Sequence, residues 1–84
     1  MIKEYVVPVD GLELTIGVDA QVLSAHFQGE DLAVYILEPD SHPGEKAIRI
    51  EGFATGTSVP VDACFIDTCC IGWHVYHIFY WEIV

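Results

Sequence analysis

The stretch Gln21-Val22-Leu23-Ser24-Ala25-His26-Phe27-Gln28-Gly29-Glu30-Asp31-Leu32-Ala33-Val34-Tyr35-Ile36-Leu37 decides the fold class. Leu23, Ala25 and Phe27 alternate with Ser24, His26 and Gln28, the period of two expected of a half-buried strand. Leu32 to Leu37 is apolar at every position, so both faces of that run are covered, as in a central strand. Between them, Gln28-Gly29-Glu30-Asp31 has the chemistry of a hairpin turn.

The same grammar extends in both directions. Leu12, Leu14 and Ile16 alternate with Glu13 and Thr15, and Ile48 and Ile50 flank an outward Arg49. Turn residues recur at short intervals: Pro8-Val9-Asp10-Gly11, Gly17-Val18-Asp19, the long segment from Pro39 to Glu45, then Gly52, Gly56, Pro60 and Gly72. Gly72 separates 63–71 from 73–83 and predicts a final hairpin. No breaker-free window carries a helical apolar stripe, and nothing supports a helical turn near Val59 to Asp62. The expected fold is all-β: a compact antiparallel β-sandwich or small barrel of six to seven strands, with residues 1–84 as one domain.

Bulk composition narrows the function. The chain has 84 residues, 52% hydrophobic, with three basic residues against thirteen acidic ones and a formal net charge of -10. Direct phosphate binding to nucleic acid needs a Lys/Arg surface, so no direct nucleic-acid partner is expected, and an anionic membrane surface would repel the chain. No apolar run is long enough for a transmembrane helix, and the N-terminal residues lack the pattern of a secretory signal. Three cysteines, Cys64, Cys69 and Cys70, make a poor disulfide framework and suggest free thiols in a reducing cytoplasm. So apolar a chain of this size predicts a surface patch, and hence a homo-oligomer or a protein partner.

Few residues suggest chemistry. Cys64, Cys69, Cys70, His74 and His77 are of zinc-ligand type, but adjacent cysteines on a strand face opposite ways and no CxxC pair is present. No metal and no cofactor is therefore assigned. Asp62 and Asp67 would raise a nearby thiol's pKa, which disfavours a cysteine nucleophile. His77 shares parity with Trp73, Val75, Phe79 and Trp81, which reads as a core histidine or, alternatively, a general base or pH switch. His74, Tyr76, Ile78 and Tyr80 form the other face, suited to packing or to an interface. Glu30, Asp31, Glu38 and Asp40 bracket the central strand, either as a solvated surface or as an acidic face that docks on a basic groove. No nucleophile, base and orienting group can be placed together, so an enzyme is not expected.

Several short motifs carry a resemblance: Ile2-Lys3-Glu4-Tyr5, Val22-Leu23-Ser24, Leu32-Ala33-Val34-Tyr35, Arg49-Ile50-Glu51-Gly52, Thr55-Gly56, Phe65-Ile66-Asp67-Thr68 and Trp73-His74-Val75-Tyr76-His77-Ile78-Phe79. Across nearly the whole chain it resembles a family of small proteins from tailed bacteriophages and prophages, a domain of unknown function. Such proteins tend to end soon after the His-x-Phe segment, whereas this chain continues through Tyr80-Trp81-Glu82-Ile83-Val84, and the Cys69-Cys70 pair is foreign to the pattern. The resemblance implies a phage origin and a small β-rich fold, and it transfers no catalytic residues.

Together these readings lead to an expected role as a phage accessory protein, acting in the host cytoplasm. It would bind and inhibit a host defence complex in an anti-CRISPR-like manner. Glu30, Asp31, Glu38 and Asp40 would steer the encounter, and Trp73, Tyr76, Tyr80 and Trp81 would anchor it. The alternatives are a sponge for a nucleotide signal, for which only Lys3, Lys46 and Arg49 could meet phosphates, and a minor virion component.

Overall fold

The computed structural model describes residues 1–40 and 44–83, so the middle of the predicted Pro39 to Glu45 turn lies outside the described residues. Seven strands follow in chain order: β1 (Ile2–Val7), β2 (Leu12–Gly17), β3 (Gln21–Gln28), β4 (Asp31–Leu37), β5 (Glu45–Ala54), β6 (Cys64–Ile71) and β7 (His74–Ile83). They form two antiparallel sheets, one of order β1-β4-β3 and the other of order β2-β5-β7-β6. The expected all-β class holds, whereas the small-barrel alternative does not. Two separate sheets face each other in sandwich-like fashion. Among the described residues there is no helix, and so none long and apolar enough to cross a membrane.

Local chemistry accounts for the connections. Gly29 has φ 64° in the two-residue turn closed by Gln28 and Asp31, and Gly72 has φ 56° in the turn closed by Ile71 and His74. Both values lie in the left-handed region, which glycine enters without a Cβ penalty. Residues 60–63 make one turn, with the Ala63 N–H donating to the Pro60 carbonyl, and no helix.

One core joins the sheets. Val7, Ala25, Leu32, Val34 and Ile36 from the first meet Ile16, Ile48, Ile50, Cys69 and Ile78 from the second. β4 is central in its sheet, as its unbroken apolar run predicts, and Ala33, Val34 and Ile36 are almost fully buried, but its outer face is covered only in part: Tyr35 is half-buried and Leu37 is exposed. The alternation expected for β3 holds only in part. A bulge between Val22 and Ser24 turns Val22 toward the core and leaves Leu23 43% exposed.

β3 and β6, the adjacent edges of the two sheets, are tied together by side chains. The Ala25 N–H donates to Asp67 Oδ2 at 3.4 Å, and the Cys69 thiol donates to the Ala25 carbonyl at 3.3 Å. These bonds engage backbone groups that an edge strand would otherwise present for pairing.

Candidate interaction surface

Parity fixes which face of the larger sheet looks inward. Ile48 and Ile50 of β5 are buried, and register places Ile50 opposite Tyr80 and Gly52 opposite Ile78. Tyr76, Ile78 and Tyr80 therefore face the core. Val75, His77, Phe79 and Trp81 face away from it. This reverses the sequence reading of β7 that put His77 in the core: the run carrying His77, Phe79 and Trp81 is the outer one. Both faces of β7 are apolar, so the choice is made by its partner β5, whose isoleucines point one way only.

The outer face is consequently aromatic. Phe65 of β6 packs edge-on against Phe79 of β7 at 5.6 Å. Phe79 meets Phe53 of β5 at 6.0 Å, and Phe53 meets Trp81 at 6.1 Å. Edge-to-face and tilted contacts at these distances are favourable ring geometries. Phe53, enclosed by its neighbours, is 8% exposed, whereas Phe65 is 58% exposed. A solvent-facing sheet surface is ordinarily polar, so an aromatic cluster on this face is a candidate interaction surface.

Polar groups border the cluster on two sides. Toward β2, Arg49 pairs with Glu51 at 3.0 Å and Glu13 at 3.2 Å, and its guanidinium also donates to the Asp10 carbonyl. Toward the β6–β7 turn, the His77 ring sits between two hydroxyls, with Nε2 2.8 Å from Thr55 Oγ1 and Nδ1 3.1 Å from Thr68 Oγ1. His77 is thus an outer-face residue held by threonines and not a core histidine. An apolar centre with a polar rim is the anatomy of a protein interface.

The residues singled out from sequence are dispersed. Of the four proposed aromatic anchors, Trp81 lies on the outer face, Tyr76 and Tyr80 pack against the core, and Trp73 is fully exposed in the β6–β7 turn. Burial pushes the Tyr80 hydroxyl's pKa up, with the neighbouring Cys64 adding to the shift. Glu30 and Asp31 lie at one end of β4, and Glu38 and Asp40 lie past its other end, about 20 Å away at the usual rise per residue. The four acids do not form one patch. Glu38 moreover accepts from Lys3 at 3.1 Å and from the Tyr5 hydroxyl at 3.0 Å. Burial raises its pKa, but the hydrogen bonds from Lys3 and Tyr5, the Lys3 charge and a Gly17 backbone bond outweigh that and hold the carboxyl below its ordinary value.

The Cys/His cluster is likewise divided between faces. Cys64, Cys69 and His74 have inward parity, and Cys70 and His77 have outward parity. Cys69 is buried, and desolvation, then the Asp67 and Cys70 charges, push its thiol up. Among the described residues, no three His, Cys, Asp or Glu side chains converge as a metal site would require. Of the cations considered for phosphate, Lys3 and Arg49 are both engaged with carboxylates.

Sequence reasoning did not single out Phe53 or Phe65, and it named Phe79 only as a neighbour of His77 on one face of β7. A usable signal was present in β5: Phe53 has the parity of Arg49 and Glu51, opposite to Ile48 and Ile50, which places a phenylalanine on the polar side of the strand.

The pattern of the family described as Domain of unknown function (DUF7352) matches residues 1–83, and the chain belongs to that family. No curated protein and no solved structure matches it.

Proposed function

We propose that the chain is a non-enzymatic binding protein that docks on another protein through the outer face of the β2-β5-β7-β6 sheet. The observation that carries this reading is the continuous Phe65–Phe79–Phe53–Trp81 cluster on a surface turned away from the core. Aromatic residues are the preferred energetic anchors of interfaces. The partner is a protein surface with apolar side chains set among Lys and Arg. A net charge of -10 steers the chain toward such a surface and opposes its pairing with a second copy of itself.

Within this class, the narrower reading is a phage accessory protein that blocks a host defence complex in the anti-CRISPR manner. Its support is the motif resemblance, the small size and the acidity. Because the acids lie at both ends of β4, steric occlusion by the aromatic face is the favoured mechanism over mimicry of a phosphate track.

The experiment is affinity capture from host lysate by the full chain and by Phe65→Asp, at low and high salt. One basic partner that is retained by the wild type, weakened at high salt and lost with Phe65→Asp supports the proposal. A partner retained equally by both chains, or capture of a second copy alone, overturns it.

A further inference from the structure

The sheets part at the end of the molecule bearing the β1–β2, β3–β4 and β6–β7 turns. A cavity of about 190 Å³ opens between them there. Val7, Leu32 and Ile78, all buried, line its interior. Phe27 and Tyr76 also line it, and they meet edge to face across the two sheets at 6.0 Å.

Gly52 of β5 also lines this space, and a Cβ there would stand 3.1 Å from Ile78 Cδ1, so the close approach of Ile78 already accounts for the glycine. What distinguishes the space from a packing defect is charge. Among the described residues, Glu30 is the only charged side chain lining it, and it is exposed.

We propose that this cavity binds a small amphipathic cation, an apolar body with a short arm ending in an ammonium group. A dry cavity of about 150 Å³ accepts benzene, so this one holds a ring of that size with a short arm. The body contacts Leu32 and Ile78, and the ammonium pairs with Glu30. Anionic analogues are repelled, because among the described residues no Lys or Arg lines the cavity and the whole chain is strongly acidic. The site lies between the sheets, on the opposite side of β5 and β7 from the aromatic docking face, so it stands or falls independently of that reading.

The test is a titration of the full chain with 2-phenylethylammonium, 2-phenylethanol and phenylacetate at low salt, followed by methyl NMR. Saturable shifts of the Val7, Leu32 and Ile78 methyls are expected. The cation should bind about tenfold tighter than the anion, and Glu30→Gln should weaken the cation by about fivefold, the scale of an exposed ion pair, without weakening the alcohol. Val9 also lines the cavity but is 98% exposed, so Val9→Trp should block the mouth and abolish the shifts while leaving the fold intact. Equal affinity for cation and anion, shifts that survive Val9→Trp, or no saturable shift with any ligand would overturn the proposal.

Discussion

Replacing Ile78 and Phe65 separately by alanine distinguishes the two faces of the larger sheet. Ile78 is 0% exposed and sits in the shared core, so Ile78→Ala removes buried carbon from between the two sheets. Substitutions of this kind cost about 2–5 kcal/mol. Phe65 is 58% exposed and its ring packs on Phe79, so Phe65→Ala gives up only part of an aromatic pair, about 1 kcal/mol. In a domain of this size, about 1 kcal/mol shifts Tm by about 4–8 °C. Ile78→Ala should therefore lower Tm by at least about 8 °C, or prevent folding, and Phe65→Ala by less than that. Urea titration followed by circular dichroism gives the corresponding free energies. If Phe65→Ala proves the costlier change, the inward and outward faces have been assigned the wrong way round and the docking surface is lost with them.

Further outcomes follow from the geometry. The folded-state pKa of Glu38 lies below its unfolded value, so its contribution to stability is present above the ordinary carboxylate range and disappears as pH falls through the folded pKa. Thermal melts should show Glu38→Gln less stable than wild type at neutral pH, with the gap closing as acid is added; a gap that widens in acid refutes the assignment. Gly29, at φ 64°, should tolerate Asn better than Val, and Gly29→Val should cost about 1–2 kcal/mol in a denaturant titration. Equal stability of the two variants would contradict the turn geometry. Cys64 and Cys70 are exposed and Cys69 is buried with a raised pKa, so an aromatic disulfide reagent should label two thiols quickly and the third only on unfolding. Three equal labelling rates would contradict that arrangement.

The strands were legible wherever the two faces differ in chemistry. β2 alternates leucine and isoleucine with glutamate and threonine, and β5 places arginine between isoleucines, so burial follows directly from parity. β4 is apolar throughout and is central. The hairpin at Gly29 and that at Gly72 were visible because only a residue without a side chain enters their conformation readily. β7 was not decidable from its own residues. Val75, Phe79 and Trp81 are as apolar as Tyr76, Ile78 and Tyr80, and the face is selected by register with β5, a long-range fact absent from local pattern. The exposure of Leu23 depends on a bulge, which shifts parity by one residue and leaves no mark in the alternation. The acidic quartet looked contiguous because Glu30, Asp31, Glu38 and Asp40 are near in sequence, but an extended strand carries its ends far apart.

The most direct test of the docking surface is site-specific photo-crosslinking with a benzophenone amino acid. It is placed at Phe65 on the outer face of the larger sheet, or at Val6, which is 54% exposed with outward parity in the smaller sheet. With the captured partner present, the probe at position 65 should form a crosslink to it and the probe at position 6 should not. A crosslink from position 6 alone would place the interface on the other sheet and contradict the account.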